Sequence, residues 1–149
     1  MTATAHAVIG AVIAAKVSDP LIGIPLALAS HVIADLIPHW DAGTHYKKKT
    51  GKQLFTEAAA DVTVGYFVAY AVLFLFFPQT NLLYAFIMIF ASQFFDYLPT
   101  PYYMFGIKNK FFKSLFDLSD QLNSRLDRPW GIVTQVVTIT LLILLAKLF

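Results

Sequence analysis

Two long stretches of the chain contain no charged residue, and they restrict the fold more than any other feature of the sequence. The first extends over residues 62–95 and the second over residues 129–146. A helix needs about 20 mainly apolar residues to cross the hydrocarbon core of a bilayer, and both stretches are of that order of length. We therefore expect an all-α membrane protein in which residues 1–149 form a single integral membrane domain.

Turn-forming residues divide the apolar sequence into helices. The polar segment 78–81 interrupts the first stretch and predicts one helix over about residues 57–77 and another over about 81–98. A helix over about residues 20–36 precedes them. The segment 3–17 predicts a helix of only about 22 Å, which is too short to span the bilayer alone, so we expect it to be half-immersed or covered by its neighbours. The prediction is a bundle of four to five transmembrane or partly immersed helices.

The segment from residue 110 to residue 126 has a different pattern. Its apolar side chains fall on one side of a helix and its charged side chains on the other, which is typical of an amphipathic helix. Such a helix either lies in the membrane interface or caps the bundle on its water-exposed side, and the pattern does not distinguish the two. The apolar residues are Phe111, Phe112, Leu115, Phe116, Leu118, Leu122 and Leu126.

Composition excludes several classes of function. The chain is 58% hydrophobic and 13% charged, far from the balance of an ordinary water-soluble enzyme. Its net charge of +2 provides no basic face for nucleic acid. It contains no cysteine, which excludes disulfides and thiolate metal sites, so a bound metal would need histidine nitrogen and carboxylate oxygen as ligands.

The basic residues predict the orientation in the membrane. Nearly all of them lie between the second and third helices or between the fourth helix and the last apolar stretch. The positive-inside rule then places both basic loops and the N-terminus in the cytoplasm, in a multi-pass protein of the cell membrane. These residues are Lys47, Lys48, Lys49 and Lys52 in the first loop, and Lys108, Lys110, Lys113, Arg125 and Arg128 in the second.

Polar residues inside the apolar helices converge at the predicted cytoplasmic end. Ionisable groups cost about 2.5–3.5 kcal/mol each at membrane depth, so we interpret them as functional. Taken singly, each has a simpler interpretation as a packing or hydrogen-bonding residue, but their common level in separate helices favours a shared site. The candidate metal ligands are His6, His31, Asp35, Asp61 and Asp96, together with His39 and Asp41 after Pro38.

The spacing of these residues suits a divalent metal. His31 and Asp35 are four residues apart and lie on one helix face, as paired ligands do in helical bundles. His39 continues the spacing, although we expect Pro38 to bend its backbone away. Three imidazoles and four carboxylates favour one or two ions, most of all zinc, with manganese and iron as alternatives. Without a cation, four aspartates would crowd one partly dry pocket.

Short matches between the two halves of the chain predict an internal two-helix duplication. Ala5-His6 followed by Gly10 matches Ala60-Asp61 followed by Gly65, and the sequence DLIP at residue 35 matches DYLP at residue 96. The duplication would relate two helix pairs by a pseudo-twofold axis along the membrane normal. The site itself should be asymmetric, because the histidines are confined to the first half.

The N-terminal third resembles a known family. From Ala5-His6 to the segment SHVIADLIPHWD at residues 30–41, it is similar to the YdjM-type proteins of the bacterial inner membrane, described as membrane-bound metal-dependent hydrolases. Their ligands are similar in style to those of zinc-dependent phospholipase C. The resemblance implies a hydrolase whose metal site contains His6, His31, Asp35, His39 and Asp41. Residues 38–41 read PHWD where the family has Pro-Asp-x-Asp-His, which leaves the metal count and ligand order open.

The sequence thus predicts hydrolysis by metal-bound hydroxide, with Asp61 or Asp96 as the catalytic base. It offers no cysteine nucleophile, no G-x-S-x-G turn and no glycine-rich phosphate loop. The location at the cytoplasmic surface suggests membrane lipid as a partner and a phospholipid or other amphiphilic phosphoester as the substrate. A metal or proton transport module and a non-catalytic membrane scaffold are the alternatives. The oligomeric state does not follow from the sequence.

Overall fold

The computed structural model describes all residues 1–149 and is entirely helical, which confirms the predicted all-α class. It contains no strand, and one isolated bridge pairs the backbones of His39 and Arg125. A single 3₁₀ turn lies at Tyr46–Lys48. The α-helices are α1 (Ala3–Lys16), α2 (Pro20–Asp35), α3 (Gly51–Phe76), α4 (Leu82–Tyr97), α5 (Thr100–Tyr103), α6 (Lys110–Leu122) and α7 (Trp130–Leu148).

Helix α1 forms the centre of the molecule. Every residue from Ala5 to Ala14 is buried, and the helix packs against α2, α3, α4 and α7. Small residues allow this close packing. A Cβ atom added at Gly10 would lie 2.9 Å from the Cα of Ile89 in α4, and one added at Gly65 in α3 would lie 3.0 Å from the Cα of Thr4. The short first helix is therefore covered by its neighbours.

Two outer helices are long and apolar enough to cross a membrane. They are α3, with 26 residues, and α7, with 19 residues. In the most apolar 18-residue segment of each helix, only 17% of the residues of α3 and 11% of those of α7 are buried. At 1.5 Å per residue they reach about 39 Å and about 28 Å. Helices α1, α2 and α4 contain 14 to 16 residues. The structure therefore provides two candidate spans where the sequence predicts four to five transmembrane or partly immersed helices.

Two helix boundaries differ from the predicted ones for local reasons. Helix α3 begins at Gly51 because Thr50 and Gln53 form a reciprocal capping box. The amphipathic helix α6 ends at Leu122, short of the predicted residue 126, because the following segment pairs with the loop after α2. In that pairing the N–H of His39 donates to the carbonyl oxygen of Ser124 at 2.9 Å.

The packing of the first four helices is not twofold symmetric. An axis relating the pair α1–α2 to the pair α3–α4 would make the α1–α4 and α2–α3 interfaces equivalent. Helix α1 packs extensively on α4, whereas α2 and α3 share no comparable interface. The duplication stays a prediction from the two sequence matches.

Candidate metal centre

Ionisable side chains from three helices meet at one end of the bundle. His6 comes from the first half of α1, His31 and Asp35 from the end of α2, and Asp96 from the end of α4. The loop after α2 adds two further residues of the predicted set, His39 and Asp41, both buried.

Asp35 lies at the centre of this cluster. The Nε2 atom of His6 is 3.1 Å from its Oδ1 atom, the Nε2 of His31 is 3.3 Å from Oδ2, and the Nε2 of His39 is 3.9 Å from Oδ1. The amino group of Met1 also forms an ion pair with Oδ1. All three imidazoles and the carboxylate are almost completely shielded from solvent.

Two of the imidazoles face a second carboxylate as well. The Nε2 of His31 is 3.7 Å from Oδ1 of Asp96, and the Nε2 of His39 is 3.6 Å from Oδ2 of Asp41. Asp35 therefore lies between two pairs, each made of one histidine and one further aspartate. The structure thus brings the predicted residues His6, His31, Asp35, His39, Asp41 and Asp96 together.

Main-chain carbonyl groups fix the orientation of both paired rings. The Nδ1 of His31 donates to the carbonyl oxygen of Ser92 at 2.7 Å, and the Nδ1 of His39 donates to that of Ile37, also at 2.7 Å. A proton on each Nδ1 leaves the Nε2 lone pair free to face the carboxylates. Metal-binding histidines are held in this way, with the distal nitrogen bound to a carbonyl or carboxylate group.

The polar atoms left without partners also point to a cation. The Nε2 of His39 and the Nδ1 of His6 are buried and form no hydrogen bond. Buried polar atoms are satisfied in the great majority of cases, so each exception calls for an explanation. Two ligands bound tetrahedrally to zinc at about 2.1 Å lie about 3.4 Å apart. The separations around His31 and His39 are 3.3–3.9 Å, close to that value.

Three residues of the cluster bring their ligand atoms close to a single point. Ligand atoms of His6, His31 and Asp96 all lie within 4.8 Å of one another, so these three residues could hold a metal ion. The imidazole rings of His6 and His31 are stacked, with centroids 4.0 Å apart.

Asp61 occupies a different position from the other predicted ligands. Its carboxylate accepts hydrogen bonds from the N–H groups of Ala3 and Thr4, at 2.8 and 3.1 Å, and from the hydroxyl of Thr4 at 2.7 Å. It thus caps the first turn of α1 from the neighbouring helix α3, where a negative charge is favoured by the helix dipole. No imidazole contacts it. Its role as a ligand or base stays a prediction.

Asp41 connects the cluster to the segment after α6. Its Oδ2 atom accepts a hydrogen bond from the amide of Asn123 at 3.0 Å and lies 3.4 Å from Nε of Arg125. Burial alone would raise the pKa of Asp41, but the imidazole of His39 and the guanidinium of Arg125 outweigh it and hold the pKa well below its usual range. Asp41 is therefore ionised at neutral pH.

A cavity of about 390 Å³ adjoins the cluster between α3 and the α5–α6 unit. Asp41 and Asp96 belong to both the cluster and the cavity wall, and Asp61 also lines it. Burial, followed by the nearby carboxylate of Asp96, raises the pKa of Tyr103 in the wall to about 12. This phenol is thus a hydrogen-bond donor at neutral pH.

Sequence reasoning missed the residues that support the cluster. Ser92 provides the carbonyl oxygen for His31, and its hydroxyl donates to the carbonyl oxygen of His6 at 2.7 Å. Gln135 of α7 accepts from the N–H of Thr2 at 2.8 Å and donates to the carbonyl oxygen of Trp40 at 2.8 Å. The one sequence signal for Ser92 and Gln135 is that each is a polar residue within an otherwise apolar helix.

His45 lies outside the cluster, at the start of the Tyr46–Lys48 turn. Its Nε2 is 2.7 Å from Oδ1 of Asp127, and both side chains are exposed. Comparisons of the chain with protein-family models, with curated proteins and with solved structures found no match.

Proposed function

We propose that the protein is a metal-dependent hydrolase that acts on a phospholipid or other amphiphilic phosphoester at the cytoplasmic surface of the cell membrane. One observation carries the proposal. His31 and His39 are each anchored through Nδ1 to a main-chain carbonyl, and both face Asp35. Each also faces a second carboxylate, that of Asp96 for His31 and of Asp41 for His39, and both of these carboxylates line the cavity.

The donor set fits zinc best, as one or two ions. His6, His31, Asp35 and Asp96 would hold one ion, and His39 with Asp41 would hold another beside Asp35. When bound, such an ion lowers the pKa of a coordinated water to about 7 and polarises a phosphoryl oxygen. Nitrogen and oxygen donors also suit manganese and iron.

Asp96 is the better candidate for the general base. Its side chain is 33% exposed, faces the cavity, and accepts no hydrogen bond through its carboxylate. Its Oδ1 lies 3.7 Å from Nε2 of His31 and would face the ion, which leaves Oδ2 to accept a proton from an attacking water molecule. Both carboxylate oxygens of Asp61 are instead occupied by donors at the start of α1, so proton transfer to it would uncap that helix.

The cavity wall suits a substrate with a polar and an apolar part. Arg125, Asn123 and Tyr103 offer hydrogen-bond donors that would orient phosphate oxygens. Phe55, Val62, Met104 and Phe116 form the apolar part of the wall, against which a hydrocarbon chain would pack.

The exposed surface supports a membrane location. Large apolar side chains are exposed along α2, α3, α4 and α7, far more than scattered single residues would account for. In our proposal α3 and α7 cross the bilayer, and α1, α2 and α4 are partly immersed beside them, in a multi-pass arrangement with the N-terminus and the cluster in the cytoplasmic leaflet.

Hydrolysis assays on the purified full chain test this function. We expect release of phosphate ester products from one or more phospholipids when zinc, manganese or iron is added. The rate should fall to background in His31→Ala and Asp96→Asn. It should be retained in His45→Ala, the matched control, because His45 is exposed and lies outside the cluster. A metal-loaded protein that cleaves no phospholipid or phosphoester would instead favour the alternative of a non-catalytic membrane scaffold.

A further inference from the structure

Helix α6 has two edges that face different surroundings, one apolar and exposed and the other facing the cavity. It contains no buried residue, and α5 is the only helix on which it packs extensively. One edge contains Phe111 and Leu118, which are seven residues apart and are 66% and 55% exposed. The other edge contains Phe116, Ser119 and Asp120, which line the cavity.

The cavity-facing edge holds α6 in place through aromatic contacts. The ring of Phe116 packs against Tyr46, Tyr102 and Tyr103, with centroids 5.3–5.7 Å apart. On the exposed edge, the ring of Phe111 contacts that of its chain neighbour Phe112 and no aromatic ring of another element. The loop before α6 also exposes two large apolar side chains, Phe105 and Ile107.

Several lysines near α6 have no acidic partner. Lys108 and Lys110 at its start form no ion pair, and neither do Lys47, Lys48 and Lys52 near the start of α3. The start of α3 approaches the loop before α6, since a Cβ atom at Gly51 would lie 2.7 Å from the carbonyl oxygen of Met104. Unpaired lysines beside exposed phenylalanines complement anionic headgroups above a hydrocarbon layer.

We propose that α6 is docked in the headgroup layer of an anionic bilayer, with the edge of Phe111 and Leu118 inserted toward the acyl chains. The site would then take its ligand directly from the lipid layer, because α6 forms both the membrane contact and a wall of the cavity. This second step rests on the proposed hydrolase function, whereas the docking of α6 does not.

The absence of cysteine from the chain allows a direct test of docking. Single spin labels are attached to Phe111→Cys and Leu118→Cys on the exposed edge, and to Lys113→Cys and Asp117→Cys on the charged face of the helix, where both side chains are exposed. The full chain is reconstituted in vesicles of phosphatidylcholine and phosphatidylglycerol. We expect oxygen, which concentrates in lipid, to relax the labels at 111 and 118 more than a water-soluble nickel chelate does. The order should reverse at 113 and 117.

Two other results would overturn the proposal. Stronger relaxation by the nickel chelate at all four positions would place α6 in water. Weak relaxation by both reagents at 111 and 118 would show that protein, such as a second copy of the chain, covers this edge. In vesicles of phosphatidylcholine alone we expect the oxygen preference at 111 and 118 to decrease, and an unchanged preference would contradict the role of anionic headgroups.

The consequence for the substrate has its own experiment. Phe111→Asp should slow hydrolysis of lipid in vesicles and leave hydrolysis of a short-chain, water-soluble phosphoester unchanged. Lys113→Gln, which lowers the net charge by the same one unit on the charged face of the helix, should alter neither. Equal loss on both substrates would exclude delivery from the lipid layer. The spin-label result does not depend on activity, so failure of the hydrolase proposal and failure of docking remain distinguishable.

Discussion

The Nδ1 of His31 donates a hydrogen bond to the carbonyl oxygen of Ser92 across the interface of α2 and α4. Because the acceptor belongs to the main chain, helix packing sets the orientation of the ring. The hydroxyl of Ser92 also donates to the carbonyl oxygen of His6 in α1. One residue of α4 therefore aligns the helices that present both stacked imidazoles.

Gly10→Ala should destabilise the protein by disturbing this alignment. The added Cβ would lie 2.6 Å from Oγ of Ser92 and 2.7 Å from the carbonyl oxygen of Met88, so α1 and α4 must separate. Overpacking of this kind costs about 1–3 kcal/mol. Thermal unfolding in detergent measures the loss. Ala60→Ser, which also adds one atom but on an exposed position of α3, should melt like the wild type.

Asp61→Asn and Asp96→Asn should have opposite effects. Asp61 caps α1, so its replacement should lower stability by about 1.5–3 kcal/mol, the range for hydrogen bonds to charged groups, and leave residual hydrolysis. Asp96→Asn should stay folded and lose turnover. Unfolding midpoints and initial rates of both variants check this. A folded Asp61→Asn variant without activity, beside an active Asp96→Asn, would move the base to Asp61.

Arg125→Met should make stability less dependent on acid pH. Arg125 lies against Asp41 and Asp120, and with His39 it keeps the pKa of Asp41 low. A depressed carboxyl pKa adds stability above about pH 4, the unfolded value, and that stability is lost as pH falls below it. The variant should therefore melt lower at pH 7 and lose less between pH 7 and pH 3. An unchanged slope would show that the ion pair contributes nothing.

Removal of metal should lower the melting temperature of the wild type. An ion that binds only the folded state adds about 2.7 kcal/mol when its concentration is about 100 times its dissociation constant. A chelator should therefore shift the melting curve downward, and added zinc should restore it. His31→Ala should show neither change. Chelator-independent melting of the wild type would argue that protons and the Met1 amino group alone satisfy Asp35.

The helices and most of the cluster could be predicted because their signals are local. Uncharged apolar stretches and the turn at residues 78–81 gave helices close to those observed. The spacing of His31 and Asp35 on one helix face also needed only local geometry. The capping box of Thr50 and Gln53 is equally local, and it explains why α3 begins at Gly51 and not near the predicted residue 57.

What could not be predicted depends on contacts between distant segments. The sequence predicts that Pro38 turns His39 away, but backbone pairing of His39 with Ser124 and Leu126 brings its Nε2 to 3.9 Å from Asp35. Asp61 reads as a ligand in sequence because nothing near it shows that Ala3 and Thr4 lie within hydrogen-bonding distance. The same holds for the carbonyl group of Ser92, which carries no sequence signal.

Metal content of the purified full chain is the most direct measurement. Protein prepared without chelator should contain one or two zinc, manganese or iron ions per chain by elemental analysis. The ions should be lost in His31→Ala and retained in His45→Ala. A chain that folds, takes up none of these metals when they are supplied, and behaves identically in all three forms would contradict a metal centre at this cluster.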